Sequence, residues 1–475
     1  MTVCLARVDL KKEFKVIQSR FSIVAAMVLF SPSIYAEEID MSGFDDVPAT
    51  STQENESSGT ELLDGFDDED IPVTKVSEEE NHFGFTGKLT EQITYALYTD
   101  EPHNDVSSLK SSLLLDYEHK FENGWRVKAN VKAYYDAIYD IRGTEKFSKQ
   151  ELDELKSEVE LYDAYVEGSI TDSLDIKLGR QVVVWGRSDT LRVTDILNPL
   201  DNRRPGMVDI EDLRLPVTMA KFDYFIGDWR VTPIAILEQR FSKNPPFGSV
   251  FNPLPIVAPS NESYNDVTYA LSVGGEFSGW DVNFYAAQVH NDAGQLLLPT
   301  ATQQKATIAH DKIEMFGAAL NVLSGAWLFK TELAYFDSLK FSTTGNKEFS
   351  RTDVLFGAEY KGIADALISY DFVTRNLGEY DARLITEAIP LKKHDYQHAF
   401  RISADFLNAT VTANYLITLY GEKLNEGGFQ RAWVKYDLLD GVNVNVGVVD
   451  YIGGSVVFDT VKDNDMLFAD ISYSF

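Results

Sequence analysis

The clearest regularity in this chain is a period of two. Between Trp125 and Tyr139 one set of alternate positions reads Trp125, Val127, Ala129, Val131, Ala133, Tyr135, Ala137 and Tyr139, and the opposite set reads Arg126, Lys128, Asn130, Lys132, Tyr134 and Asp136. Residues 409–420 set Val411, Ala413, Tyr415, Ile417 and Leu419 against Thr410, Thr412, Asn414 and Thr418. Residues 442–448 alternate Val442, Val444, Val446 and Val448 with Asn443, Asn445 and Gly447. Side chains alternate faces along a strand, so these segments predict strands with one apolar and one polar face; a helix would return charges every third or fourth residue. The runs extend 10–16 residues, longer than ordinary soluble strands and long enough to cross a bilayer at a tilt.

Tight turns fall at 122–124, 171–173, 227–228, 278–279, 324–325, 363–365, 407–408 and 439–441. Longer, more polar connections lie near 99–105, 141–156, 187–213, 243–263, 293–309, 341–350, 377–395, 422–427 and 454–464. Short turns on one side and long loops on the other are the asymmetry of a transmembrane antiparallel up-and-down β-barrel, turns periplasmic and loops extracellular. Eight turns and nine loops predict an all-β barrel of about 18 strands, or 16 if the first strand or one ragged hairpin is misassigned. The final residues fit: Leu467, Ala469, Ile471, Tyr473 and Phe475 alternate with Asp470, Ser472 and Ser474, and only Phe468 breaks the pattern. A closing strand with Ile471, Tyr473 and a terminal Phe475 resembles the assembly signal of bacterial outer-membrane barrels, which implies the barrel-assembly machinery, outer-membrane lipid and lipopolysaccharide as partners. A soluble β-sandwich array would need a core for every sheet pair and linkers at intervals, and neither is seen.

Residues 1–36 read as a secretory signal peptide: Arg7, Lys11, Lys12, Lys15 and Arg20, then an apolar core at 21–30, then small residues up to Ala36. Cys4, the only cysteine, lies in that segment, so disulfides, thiolate metal sites and cysteine nucleophiles are excluded from the mature chain. Mean hydropathy is -0.19, which does not argue against a barrel, because lumen-facing residues mask the apolar half of each strand.

Residues 37–82 hold sixteen Asp or Glu against one Lys, about half of the chain's net charge of -31. Such a segment buries too little apolar surface to offset its ordering entropy and is expected to be disordered in isolation. It contains an echo, Gly43-Phe44-Asp45-Asp46 and Gly65-Phe66-Asp67-Asp68. One reading is a solvated acidic linker; the other is a pair of docking motifs, Phe44 and Phe66 anchoring on a periplasmic or inner-membrane partner. The barrel then occupies 83–475, with the preceding segment in the periplasm.

Candidate chemistry concentrates at 179–204. Continuing the alternation puts Arg180 on the lipid face, where a mid-bilayer charge costs roughly 2–4 kcal/mol. A bulge at Gly179 would turn Arg180 inward, and a place near the interface would let it snorkel. A short helix over 191–197, stopped at Asn198-Pro199, would pack Leu191, Val193, Ile196 and Leu197 inside the barrel mouth. Arg187, Asp189, Arg192, Asp195 and Asp201 would then pair, either as an inward constriction or as a surface loop held by ion pairs. The lumen is expected to present Arg126, Lys128, Lys132, Asp136, Asp371 and Arg375, fixed charges of the kind that set pore selectivity.

The run Gly179-Arg180-Gln181, Trp185-Gly186 and Asp189, followed by Asp195-Ile196, Asn198-Pro199 and Asp201, resembles a family of uncharacterised proteobacterial outer-membrane barrels that often accompany inner-membrane exporters of the RND superfamily, the MMPL-like kind. The resemblance implies an envelope transport or export role for hydrophobic or amphipathic molecules, with such an exporter as partner. Alternatives are a general or acidic-polysaccharide porin, and a structural or adhesive barrel binding through its loops. The residues favour no enzyme: His394 and His398 lie between a loop and a strand start, where their spacing offers no shared helical face, and no nucleophile elbow or phosphate loop stands out. No cofactor, metal or nucleic-acid partner is expected.

Overall fold

A computed structural model describes residues 84–208, 210–252, 260–297, 299 and 306–475. The signal segment and the acidic segment with Phe44, Asp45, Asp46, Phe66, Asp67 and Asp68 lie outside the described residues. The remainder forms eighteen barrel strands. They are β1 (Phe85–Ala96), β2 (Asp105–Lys120), β3 (Arg126–Asp136), β4 (Ser157–Thr171), β5 (Leu174–Gln181), β6 (Val217–Ile226), β7 (Trp229–Ile236), β8 (Thr268–Phe277) and β9 (Trp280–His290). The second half continues with β10 (Lys312–Ser324), β11 (Trp327–Leu339), β12 (Phe349–Ile363), β13 (Ala366–Leu377), β14 (His394–Phe406), β15 (Val411–Tyr420), β16 (Gly428–Leu439), β17 (Val442–Ile452) and β18 (Met466–Ser474). Every neighbouring pair is antiparallel, and β1 pairs with both β2 and β18, which closes the ring at 18 strands rather than 16. Three short strands among the long loops make a small separate sheet.

Closure is what lets this sheet exist in lipid, because it gives every strand of the ring a neighbour to pair with on each side. The two faces follow the alternation. Leu89 on β1 is flanked by Leu113 on β2 and Tyr473 on β18, and Phe356 on β12 opposes Phe372 on β13, all on the outward face. Aromatic pairs gather beside the tight turns: Phe85–Tyr117 at 4.7 Å, Phe277–Trp280 at 4.3 Å, Trp327–Tyr360 at 4.6 Å and Tyr473–Phe475 at 5.9 Å. This is the girdle that marks a membrane interface. Glu91 departs from the outward pattern and accepts a 2.7 Å hydrogen bond from Ser111 Oγ.

The chain end seats on the first strand. Gly87 N donates to Phe475 O at 2.8 Å and Phe475 N to Gly87 O at 2.9 Å. A Cβ at Gly87 would lie 2.4 Å from the Phe475 ring, so glycine is what admits that ring. Phe468, the break in the terminal alternation, points inward and packs with Val449, Tyr451 and Met466.

Two sequence expectations are corrected. The alternation after Trp125 stops at Asp136, whose carboxylate accepts from Leu109 N, Ser108 Oγ and Ile138 N and ends the ladder. Tyr139 is therefore not outward: it sits in the short helix α1 (Ile138–Arg142), buried with Ile138 and Leu155. The expected helix over 191–197 is absent, and α2 (Lys149–Leu155) and a turn at Ile210–Leu213 lie elsewhere in the loops.

The register assigns Val127 and Lys128 to opposite faces. Cysteine at 128 is expected to react with a membrane-impermeant maleimide from the lumen, and cysteine at 127 to be shielded by lipid. Equal labelling of the two would reverse the face assignment of β3.

Candidate functional site: an inward-folded loop across the lumen

The connection between β5 and β6 runs inward rather than over the surface. The interior of β6–β13 is lined by Val217, Met219, Ile234, Ile236, Ala287, Met315, Phe336 and Val373, an unusual lining for a water-filled pore. Val183, Trp185, Leu191, Val193 and Leu197 of the loop cover this lining and form one apolar cluster with it. Trp185 stacks on Tyr285 of β9 with ring centroids 4.7 Å apart. Apolar burial gives the loop a reason to turn inward; polar groups fix where it stops.

Glu332 of β11 is the principal stop. Its Oε1 accepts from Arg187 N at 2.6 Å and Ser188 N at 3.2 Å, and its Oε2 from Thr194 N at 3.1 Å and Thr194 Oγ1 at 2.7 Å. A buried carboxylate with so many donors is tolerated, whereas an unpaired one is not. Gly186 makes the approach possible: its φ is +98°, and a Cβ there would sit 3.0 Å from Glu332 Oε2. Asp371 of β13 accepts from Ser188 Oγ at 2.7 Å and Thr190 Oγ1 at 2.6 Å. Lys330 of β11 reaches Asp189 at 3.1 Å, and Arg187 pairs with Asp281 of β9. Arg375 of β13 donates to Arg192 O at 3.4 Å and to Gln397 at 3.0 Å.

Inside the loop, side chains take the bonds a helix would have made along its backbone. Asn198 Oδ1 accepts from Val183 N at 2.8 Å, and its amide donates to Leu215 O at 2.9 Å and Gln181 O at 3.3 Å. Asp195 takes Arg192 at 3.1 Å and Arg214 at 2.9 Å. Thr194 N goes to Glu332, so it is not available for the first bond of a helix over 191–197. Gln181 is fully buried and donates to Gly179 O and Met219 O. Pro199 O accepts from Leu215 N at 2.8 Å, which ties the outgoing and returning limbs together.

The returning limb crosses to the opposite wall. Arg203 is held by Asp201 at 2.8 Å and by Glu158 of β4 at 2.7 Å. Arg204 donates to Asp136 of β3 at 3.0 Å and to Ser108 of β2 at 2.9 Å. Tyr451 of β17 donates its hydroxyl to Pro205 O, and Arg431 of β16 reaches Gly206 O at 3.4 Å. One loop is therefore tied to β2, β3, β4, β9, β11, β13, β16 and β17.

The other charges expected in the lumen also have partners. Arg126 donates to Glu167 at 2.6 Å, Lys128 lies 3.7 Å from Asp116, and Lys132 stands 3.5 Å over the Tyr162 ring. Arg180 sits at the loop end of β5, with Gly179 at φ +126°, and reaches Glu160 at 3.5 Å and Glu238 at 3.3 Å. Sequence reasoning missed Glu332, Lys330 and Asp281. The available signal was the placement of Lys330 and Glu332 on one face of β11, among Leu328, Ala334 and Phe336.

The chain belongs to the family described as "Protein of unknown function (DUF1302)", whose family model matches residues 103–475. No curated protein matches it. Among solved structures it is similar to OccAB3 of Acinetobacter baumannii, with a TM-score of 0.50 at 11% identity, covering 82% of this chain and 98% of that one. It is also similar to OpdK of Pseudomonas aeruginosa, solved with vanillate, with a TM-score of 0.50 at 10% identity and coverage of 82% and 98%. These likenesses show the fold, that of outer-membrane β-barrel channels.

Glu332→Gln keeps the shape and removes the charge that gathers four donors. It is expected to lower barrel stability by about 2–3 kcal/mol, read from thermal unfolding in detergent, and to expose Arg187 to trypsin. A second outcome concerns pH. Burial, and then the Asp450 carboxylate, push Asp465 up to about 7, and Asp465 accepts from Tyr451 N at 2.8 Å. The folded state binds this proton more tightly than the unfolded chain, so its stabilisation is complete below the ordinary carboxylate range and is lost as pH rises through about 7. The thermal unfolding midpoint in detergent is expected to be lower at about pH 8.5 than at about pH 5, and Asp465→Asn to reduce the difference.

Proposed function

We propose that this protein is an outer-membrane channel, turns periplasmic and loops extracellular, whose inward-folded loop 182–216 gates the passage of hydrophobic or amphipathic molecules. In this reading it works with an inner-membrane exporter of the RND type, and the acidic segment with Phe44 and Phe66 docks that exporter or a periplasmic adaptor. The observation that carries the reading is the loop itself. A loop tied to walls on opposite sides of the barrel obstructs the lumen, yet it is held by individual side-chain bonds rather than by a sheet, so its position can change without unfolding the wall. The apolar lining beneath it supports an apolar cargo, because an ion-conducting pore has no use for buried Met315, Phe336 and Val373.

Single-channel recording of the refolded protein tests the gate. The wild type is expected to conduct little, Glu332→Gln to flicker open, and deletion of 186–207 to conduct steadily. A deletion variant that assembles, shows heat-modifiable migration and still passes no current would sink the channel reading in favour of a structural or adhesive barrel. For the partner, Phe44→Ala with Phe66→Ala is expected to abolish capture of the exporter and leave barrel assembly intact.

A further inference from the structure

At one place the wall gives up backbone pairing. β4 has 15 residues, but its ladder to β5 runs only between Ala164↔Arg180 and Thr171↔Leu174. β5, β6 and β7 have 8, 10 and 8 residues, short beside the 16 of β2 and the 15 of β12. Among the described residues, no backbone hydrogen bond joins residues 157–163 of β4 to the chain on the β5 side. The loop-end half of β4 is an edge inside an otherwise closed ring.

Charge spans this gap. Glu160 meets Arg180 at 3.5 Å, Lys243 at 2.9 Å, and Arg240; Glu158 meets Arg203 at 2.7 Å and also Lys243. The outer border is apolar: Val159 and Leu161 of β4 are 78% and 46% exposed, and Val184 and Leu237 at the ends of β5 and β7 are 54% and 52% exposed. Behind the ion pairs, between loop and wall, lies a cavity of about 30 Å³. Leu197, Val217, Ile236 and Phe241 line it together with Glu238 and Arg240. An apolar border and a closure made of side chains thus coincide at the edge of β4, and the void touches that closure through Glu238 and Arg240.

These features have a common physical consequence. A ladder facing lipid cannot part, because the freed N–H and C=O groups find no partner there. Ion pairs between long side chains can re-pair with one another as the backbone parts, as Lys243 already does between Glu158 and Glu160. If the barrel opens sideways anywhere, it opens with least loss between β4 and β5–β7.

We propose that this gap is a lateral portal, through which an apolar or amphipathic molecule passes between the barrel interior and the outer leaflet, with the Glu158 and Glu160 ion pairs as its latch. A slender hydrocarbon chain fits the apolar border, and a polar head group can stay with the charges on the inner side. The portal rests on the channel reading above and adds to it the direction in which cargo leaves or enters.

The test uses the full chain in vesicles and planar bilayers. Glu160→Cys with Arg240→Cys is joined by a reductant-cleavable bifunctional maleimide, and the same sample is measured before and after cleavage. Two quantities are followed: ion current, and transfer of a lipophilic naphthylamine dye from the lumen side into the membrane. The linked protein is expected to transfer dye no faster than protein-free vesicles, cleavage to restore transfer, and ion current through the deletion of 186–207 to be the same in both states. Undiminished dye transfer in the linked state, with ion current present, overturns the portal and leaves the channel standing. Absence of both dye transfer and current in every state overturns the channel and the portal with it. Should the double variant fail to assemble, wild-type vesicles containing a photoactivatable fatty acid decide the matter. Label on peptides holding Leu197 or Phe241 supports the portal, and label confined to outward residues such as Phe329 rules it out.

Discussion

Hydrocarbon offers no partner to a peptide group, and this barrel is organised by that fact. Eighteen strands close on themselves between β1 and β18, the terminal Phe475 is tied back to Gly87, and each irregularity in the ladder is local. Where β3 meets β4, for example, the register slips between Ala129 and Val131, and Asn130 fills the space by pairing with Asp163 N at 2.7 Å. The exception lies at the loop end beside β5–β7, where the ring is completed by loop backbone and by ions. The loop that enters the lumen leaves the wall at this same place, so the gap in the wall and the loop in the lumen are one connected feature.

Holding a loop inside a barrel poses a different problem from holding strands together. The loop carries its own N–H groups into an interior where water is scarce, and they have to be met. Side-chain oxygens meet them here: Glu332 accepts from Arg187, Ser188 and Thr194 N, Asp195 from Trp185 N and Asn198 Oδ1 from Val183 N, while Asp371 takes the hydroxyls of Ser188 and Thr190. Replacing such buried polar groups by apolar ones is often neutral for stability, so their value lies in defining one position among many. An apolar loop on an apolar wall could slide; one whose turn at Gly186 must find Glu332 cannot. Such registration is what the gate proposed above would need to return to one closed position.

The sequence made the wall legible and left most of the site hidden, for a physical reason. Period-two alternation is a local property, so strand faces, turn positions and the strand number could be read from short windows; even Phe468, out of pattern, marked a real inward aromatic. The inward loop was flagged by its density of Arg and Asp and its Pro199 stop, but its conformation was misjudged as a helix over 191–197. Helical propensity is also local, and it lost to bonds that join residues far apart in the chain, such as Thr194 to Glu332 and Val183 to Asn198. Arg180 could not be placed because its height depends on how short β5 and its neighbours are. Partners such as Tyr451 for Pro205 carry no local signature at all.

The two walls facing the loop hold it by different sets of contacts. Toward β9–β13 it is held by a continuous apolar cluster plus the paired donors on Glu332 and Asp371, contacts that stand or fall together because losing one exposes the rest to water. Toward β2, β3, β16 and β17 it is held by Arg204 to Asp136, Pro205 O to Tyr451 and Gly206 O to Arg431, and Met207 packs against a second apolar cluster with Phe251, Val449, Tyr451 and Phe468. Between these two holds, residues 196–200 are tied to Gln181 at the end of β5, to Leu215 just before β6 and to Lys243 in the loop beyond β7. Lys243 also pairs with Glu158 and Glu160 beside the gap at β4, so the gate and the portal proposed above would share this residue.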